Sequence, residues 1–239
     1  MSYIENPKTK DSGIYAAIPQ TGICPNKCKD CFFQSGRSFL EPLDENLPNM
    51  PESSIYNIIR INDGNDSNNN QEFVIEQTEK YPMRFYNTAI PKNLEIFREP
   101  VVLTLNPGKN TDKKIFKLKY IPKNLMMVRI RANMWNIQLI DEAVKYYTKY
   151  SIAVIITFMR YYNENIPEEY KKYYKFKKKI TNSYWCLMDE GYDIIMNKYK
   201  NNKWVYSCSK EGLNGYFECH RCGNCLREYF YTKEKLKEK

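Results

Sequence analysis

The sequence predicts an α/β fold, a partial (β/α)6 barrel followed by a small C-terminal cysteine-rich metal-binding extension. Strand-like and helix-like segments alternate along the chain, which is typical of a parallel sheet or barrel. About six strands are too few for a closed eight-stranded barrel of usual length, so we expect a partial one. A late group of four cysteines predicts the extension. We therefore expect a barrel domain over residues 1–200 and the extension over residues 201–239.

Hydrophobic periodicity and turn residues predict each element in order. Apolar, β-branched runs that stop at Gly, Pro, Asn or Asp predict strands at Gly13–Ile18, Ile55–Asn62, Met83–Ile90, Val101–Leu105, Leu125–Arg131, Ser151–Arg160 and Ile180–Leu187. Apolar residues at helical spacing predict helices at Asn70–Lys80, Ile137–Tyr150, Ile166–Lys179 and Asp189–Lys200.

Composition limits the functional classes. The chain has 239 residues, with 37 Lys plus Arg against 28 Asp plus Glu, for a net charge of +9. A basic chain suits a nucleic-acid partner, but the many Asn, Ile, Lys and Tyr residues also fit a genome rich in A and T. The longest apolar run, Ile152–Phe158, is too short to cross a membrane, and Met1–Ser12 lacks the apolar core of a signal peptide. We expect a reducing, cytoplasmic location, where clustered cysteines indicate metal sites or catalysis before disulfides.

Three cysteines share one loop after the first predicted strand. Cys24, Cys28 and Cys31 have the spacing C-x3-C-x2-C. Three thiolates can hold three irons of a cubane cluster and leave the fourth iron open, which is the feature that makes a metal centre catalytic. Zinc usually takes four protein ligands, so the missing fourth cysteine counts against zinc.

This loop, with the βα units that follow it, resembles the radical SAM superfamily. In that superfamily the loop cysteines ligate a 4Fe–4S cluster and the open iron binds S-adenosylmethionine. Reductive cleavage then releases a 5′-deoxyadenosyl radical, which abstracts hydrogen from a substrate. The resemblance implies an enzyme with Cys24, Cys28 and Cys31 as catalytic cluster ligands and an electron donor such as flavodoxin or ferredoxin as a partner. The sequence does not predict the substrate.

The same resemblance implies which residues hold S-adenosylmethionine, although two motifs depart from the family pattern. The family commonly has an aromatic residue before the third cysteine, where this chain has Asp30 and places Phe32 and Phe33 afterwards. In place of the glycine-rich motif stands Asn62-Asp63-Gly64-Asn65-Asp66, which can bind an ammonium group or form an ordinary Asp-Gly turn. The implied cosubstrate residues are Asn62, Asp63, Gly64, Asp66, Arg129, Arg131, Asn133 and Thr157.

Arg129, Arg131 and Asn133 share one face of a predicted strand, because they are two residues apart. A guanidinium group can bind a carboxylate through two hydrogen bonds, and the resemblance gives these residues the methionine carboxylate and ribose. If their face is the barrel interior they need a ligand, whereas on the outside they are ordinary surface charges. Thr157 lies on the next predicted strand, and packing in the core explains most of the residues of that strand.

The late cysteines form a second group with the spacing C-x10-C-x2-C-x2-C. Four thiolates suit either tetrahedral zinc or a ferredoxin-type 4Fe–4S cluster. We favour an auxiliary 4Fe–4S cluster, because many radical SAM enzymes carry one. His220 lies among these cysteines and could replace one of them as a ligand. Three roles stay open for Cys186: a buried structural thiol, a metal ligand in place of Cys208, or a hydrogen-atom donor. The predicted ligands of this second metal are Cys208, Cys219, Cys222 and Cys225.

The main alternative is a non-enzymatic zinc-binding, nucleic-acid-binding module on an α/β scaffold. It relies on the net charge and on Ile166–Lys179, where lysines and aromatic residues could contact phosphates and stack on bases. Such segments are more often solvated helices with their tyrosines facing inward. Iron–sulfur clusters would indicate the enzyme, and zinc at both sites the binding module. A two-cluster electron carrier is less favoured, because the βα pattern is unlike a small ferredoxin.

Overall fold

The structure is a computed structural model that describes residues 2–26, 28, 31–53, 57–107, 114–162, 166–180, 183–208 and 219–238. Its strands are β1 (Ile14–Ala17), β2 (Ile58–Ile61), β3 (Arg84–Thr88), β4 (Val101–Leu105), β5 (Leu125–Ala132), β6 (Ala153–Phe158), β7 (Tyr174–Lys177), β8 (Tyr184–Leu187) and β9 (Val205–Cys208). Its α-helices are α1 (Leu43–Asn46), α2 (Gln71–Thr78), α3 (Ile137–Tyr147), α4 (Asp189–Met196), α5 (Cys219–Cys222) and α6 (Asn224–Lys237).

Seven strands form one parallel sheet in the order β1-β2-β3-β4-β5-β6-β9. In its register Ile14 aligns with Ile58 and Val154 aligns with Val205. Strands β2 and β6 have every residue buried, which agrees with their continuous apolar runs and with a parallel sheet covered on both faces. The mixed α/β class is therefore confirmed, and a partial barrel is compatible with this sheet.

The region between β6 and β9 differs from its prediction. The helix predicted over Ile166–Lys179 is wrong, because a 3-10 helix at Glu168–Tyr173 is followed by strand β7. Aromatic residues and lysines alternate in YKFK, and this period of two suits a strand whose faces differ. Strand β8 confirms a strand within Ile180–Leu187, but β8 pairs antiparallel with β7 in a separate two-stranded sheet. Strand β9 is not predicted from the sequence, since VYSC is short and half polar.

The chain divides into two compact units. Unit 1 contains residues 1–104, 118–127 and 218–239, and unit 2 contains residues 105–117 and 128–217. This division differs from the expected boundary after residue 200, which stays a prediction. In the part of the chain that the structure describes, the helices are too short or too polar to cross a membrane.

In unit 1, helices α2 and α6 cover opposite faces of the sheet. The hydroxyl groups of Thr78 in α2 and Tyr86 in β3 are 2.9 Å apart and hydrogen-bonded. The preceding residue of β3, Phe85, instead contacts Tyr229 of α6, with ring centroids 6.3 Å apart. Because neighbouring strand residues point to opposite faces, the C-terminal helix lies on the face opposite the crossover helix. The residue of β2 that aligns with Phe85 is Arg60, so Arg60 shares the face of α6.

Candidate functional site

The first cysteine loop follows β1 in unit 1 and is held by side chains from outside the loop. Cys24 is buried, and Cys28 and Cys31 are half-buried. The Asn69 side-chain amide donates a hydrogen bond to the Cys24 sulfur, with 3.4 Å between Nδ2 and Sγ. The Gln34 side-chain amide donates to the Cys24 carbonyl oxygen. Cys24 is therefore fixed through both its side chain and its backbone.

The three loop thiols lie close enough to act on one another electrostatically. Burial raises the pKa of the Cys24 thiol, while a hydrogen bond with the Asn26 backbone lowers it. Negative charge on Asp66, Cys28 and Cys31 raises this pKa further. Three neighbouring thiols are the donor set that an open cubane cluster needs. Within the described ranges no three His, Cys, Asp or Glu side chains have metal-binding geometry, so ligation itself stays a prediction.

Phe33 joins this loop to the Asn62–Asp66 turn. Its ring is buried, and a Cβ atom built on Gly64 would lie 2.2 Å from it. No side chain larger than hydrogen fits at that separation, so residue 64 must be glycine while Phe33 keeps its place. Phe33, the second of the two aromatic residues after the third cysteine, therefore packs on the Asn62–Asp66 turn. Asp30, which directly precedes the third cysteine, lies outside the described residues.

Asp66 ties the turn to the neighbouring strand end and to the cysteine loop. One carboxylate oxygen accepts hydrogen bonds from the Thr88 hydroxyl at 2.6 Å and from the Asn68 backbone at 2.9 Å. The other accepts from the Ala89 backbone at 2.7 Å and from the Asn26 side chain at 2.8 Å. These four donors stabilise a buried carboxylate that would otherwise be costly to remove from water.

Asp63, the other acid of the turn, is bonded to a different part of unit 1. Its carboxylate forms an ion pair with Arg60 and accepts a hydrogen bond from the Asn6 side chain. Asn62 has φ of 61°, in the left-handed region, and its amide donates to the Ser67 hydroxyl at 3.2 Å. Both acidic side chains of the turn are thus already bonded to protein groups. Binding of an ammonium group by this turn stays a prediction.

Three of the late cysteines also belong to unit 1. Cys219 and Cys222 are the first and last residues of α5, and Cys225 lies in the first turn of α6. Between the helices, Gly223 has φ of 64°, which glycine adopts without strain. The Cys219 backbone donates a hydrogen bond to the Lys8 carbonyl at 3.0 Å. His220, which we considered as a replacement ligand, is exposed.

A buried cation, Arg60, acts on these cysteines. Its side chain is 7% exposed, and its own position in β2 is flanked by isoleucines. Burial lowers the pKa of the guanidinium group. The charge of Asp63, followed by those of Cys219 and Cys225, raises it by more, so that the pKa lies above its ordinary value. Sequence reasoning missed Arg60, although a single arginine within an apolar strand was the signal that could have found it.

Cys208, the remaining predicted ligand, is the last residue of β9 in unit 2. It aligns with Thr157 of β6. Tyr192 of α4 contacts Phe158, with ring centroids 5.1 Å apart, and is hydrogen-bonded to Ser207 at 3.0 Å. Because strand residues alternate between faces, Thr157 and Cys208 face away from α4. The other three cysteines belong to unit 1, and a metal site formed by all four stays a prediction.

Unit 2 also contains the predicted arginine and asparagine residues. Arg131 and Asn133 are buried and Arg129 is half-buried. The Asn133 amide donates a hydrogen bond to the Tyr161 hydroxyl oxygen at 3.1 Å. Within the described residues, Arg129 Nε and Thr157 Oγ1 are buried atoms with no hydrogen-bond partner. Such atoms suit a polar ligand, and a role for these residues in binding the cosubstrate stays a prediction.

Cys186 lies in a different setting from the other cysteines. It is buried in β8, opposite Lys175 of β7, and its sulfur is 3.6 Å from the Lys175 carbonyl oxygen. A weak hydrogen bond to a carbonyl is typical of a structural thiol. This antiparallel hairpin is also separate from the seven-stranded parallel sheet.

Comparison of the chain with protein-family profiles, with curated proteins and with solved structures found no match in any of the three.

Proposed function

We propose that the protein is a radical SAM enzyme of the partial-barrel type, in which Cys24, Cys28 and Cys31 hold a catalytic 4Fe–4S cluster. One observation carries the proposal: the three thiols lie within electrostatic range of one another in the loop after β1, with Cys24 buried and bonded to Asn69. A cluster bound there, once reduced by an electron donor such as flavodoxin or ferredoxin, would supply the electron that cleaves S-adenosylmethionine to methionine and the deoxyadenosyl radical that abstracts hydrogen from the substrate. The substrate stays open.

The contacts of the turn refine the roles of its residues in this proposal. The carboxylates of Asp63 and Asp66 are used by protein donors, so we assign them to shaping the turn. Backbone groups between Asn62 and Asp66 are then the ones that meet the cosubstrate. Phe33 and Gly64 hold this backbone against the cysteine loop through their close packing.

The second part of the proposal is a metal site in a cysteine-rich C-terminal extension. Its ligands are Cys208, Cys219, Cys222 and Cys225, and an auxiliary 4Fe–4S cluster is favoured over zinc. The buried Arg60 supports this assignment, because a cation beside Cys219 and Cys225 offsets the negative charge of a thiolate cluster. Four thiolates leave no open iron, so electron transfer or structural support suits this site better than substrate binding.

The test is anaerobic reconstitution with iron and sulfide, followed by dithionite and S-adenosylmethionine. We expect iron–sulfur absorption and formation of 5′-deoxyadenosine, detected by liquid chromatography and mass spectrometry. Cys28→Ala should abolish deoxyadenosine formation, because an open cluster needs all three loop thiolates. The absence of deoxyadenosine in the reconstituted protein, or its normal formation by Cys28→Ala, would contradict the proposal.

Cys186→Ala is the matched control, since it removes a buried thiol outside both cysteine groups. It should leave the iron content and deoxyadenosine formation unchanged. Colourless protein that holds stoichiometric zinc at both cysteine groups would instead support the non-enzymatic nucleic-acid-binding module.

A further inference from the structure

The β7–β8 hairpin of unit 2, residues 174–180 with 183–187, carries a concentrated positive charge. Residues 171–179 contain six lysines and no acidic residue. Lys175, Lys178 and Lys179 are exposed. A cluster of like charges on a short structural element repels itself and attracts an anionic partner. Because the structure has strand β7 here instead of the predicted helix, a solvated helix face does not explain this charge.

An aromatic pair lies on the same hairpin. Phe176 and Trp185 align across the two strands and so point to one face, with ring centroids 5.2 Å apart. Phe176 is 46% exposed. The described residues give the Trp185 indole nitrogen no hydrogen-bond partner, although it is buried. An exposed ring beside lysines is the combination that single strands of nucleic acid use, because bases stack on the ring while phosphates meet the cations.

The base of the hairpin is rigid. Trp185 and Tyr161 exchange two backbone hydrogen bonds, of 2.7 and 3.0 Å. Tyr174 is buried, contacts the Trp135 ring at 5.8 Å between centroids, and accepts a hydrogen bond from the Met134 backbone at 3.2 Å. A platform whose base is fixed loses little conformational entropy when it binds a ligand.

We propose that this hairpin binds single-stranded nucleic acid, with Phe176 stacking on a base and Lys178 and Lys179, which follow β7, contacting phosphates. A duplex is less suitable, because its bases are already stacked and cannot reach the ring. An anionic membrane would attract the same lysines, but membrane attachment grows with the apolar area inserted, and Tyr174 and Leu187 on this face are buried. The proposal is independent of the radical SAM assignment.

The experiment measures fluorescence anisotropy of labelled 20-nucleotide single strands, RNA and DNA, with the metal-free full chain over a series of salt concentrations. Phe176→Ala should weaken binding by about tenfold, because one base loses its stacking partner. Lys178→Ala and Lys179→Ala combined should reduce the slope of log Kd against log salt by about 1.4, at roughly 0.7 per phosphate contact. Phe176→Trp should keep wild-type affinity, and circular dichroism checks that each variant is folded.

Lys149→Ala is the matched control, because Lys149 lies over the Tyr146 and Tyr150 rings and belongs to a segment of unit 2 outside the hairpin. It should leave binding unchanged. Equal losses in Lys149→Ala and Phe176→Ala, equal affinity for a blunt duplex, or no detectable binding would each overturn the proposal. So would binding only to vesicles rich in phosphatidylserine, since that result would assign the hairpin to a membrane surface. Because no cluster or S-adenosylmethionine is present, failure here is separate from failure of the proposed enzyme activity.

Discussion

The first cysteine group and the three late cysteines of unit 1, Cys219, Cys222 and Cys225, lie in opposite electrostatic surroundings. The first group has a buried carboxylate, Asp66, among its neighbours, and its negative charge adds to the burial that raises the pKa of Cys24. The second group has a buried guanidinium, Arg60, which interacts favourably with Cys219 and Cys225. The same residue type, in one compact unit, therefore meets charges of opposite sign.

The two groups also differ in what fixes them. Cys24 accepts a hydrogen bond from Asn69 at its sulfur, and its loop is locked to the turn by Phe33. At the second group, a backbone bond from Cys219 to Lys8 connects α5 to the N-terminal segment. We therefore infer that packing shapes the first group, whereas the metal affinity of the second group depends more on charge.

Arg60→Met should have the largest effect. It leaves the Asp63 carboxylate, which is 17% exposed, without its cation, and we expect a loss of about 3 kcal/mol in the free energy of unfolding. Urea denaturation measures this loss. The same variant should lower metal retention at the C-terminal cysteines against a chelator and leave retention at the Cys24 loop unchanged. Equal losses of metal retention at both groups would show that they do not differ in their dependence on charge.

A double variant separates charge from packing in that experiment. Arg60→Met combined with Asp63→Asn removes both members of the ion pair, so most of the lost stability should return. Metal retention at the C-terminal group should stay low, because the cation is still missing. Recovery of metal retention in the double variant would show that Arg60 acts only by satisfying Asp63.

Gly64→Ala should have the next largest effect and should act on the first group. The new Cβ would lie 2.2 Å from the Phe33 ring, and overpacking of this kind costs about 2 kcal/mol. Iron incorporation at the Cys24 loop should fall, as measured by iron content after reconstitution. Phe33→Leu in the same chain should restore part of the stability by removing the clash. Unchanged iron content in Gly64→Ala would mean that packing against the turn does not shape the loop.

The clearest strands and helices could be predicted from the sequence because their hydrophobic patterns depend only on neighbouring residues. Ser151–Arg160 contains a long β-branched run, and β6 forms there. The lysines and tyrosines after Ile166 also fit a helix locally, whereas the alternation in YKFK and the pairing with β8 favour the strand. Burial of Tyr174 opposite Leu187 of β8 therefore overrode the helical interpretation.

The candidate site could likewise be predicted only where its residues lie close together in the sequence. The C-x3-C-x2-C spacing and the Asp-Gly turn are visible within short stretches, but the contact of Phe33 with Gly64 spans the loop and the turn. The position of Arg60 near Cys219 arises because residues 218–239 return to the unit that contains the N-terminal half. No local pattern encodes such a return, since it depends on tertiary packing between distant segments.

Glu228→Gln should have the smallest effect. It compares buried Glu228 of α6, the helix that carries Cys225, with buried Asp66 beside the first cysteine loop. Asp66 accepts four hydrogen bonds, whereas buried Glu228 on α6 accepts one from Arg227 at 3.1 Å, and burial raises the pKa of Glu228. A raised pKa in the folded state stabilises the protein below the unfolded pKa of about 4.3, and this contribution is lost as pH rises through the folded pKa. Glu228→Gln should therefore match wild type near pH 4 and become progressively more stable than wild type toward pH 8 in urea denaturation. Glu234→Gln, at an exposed position of the same helix, should show no such trend, and an equal gain for Glu228→Gln at both pH values would contradict the titration of a buried acid.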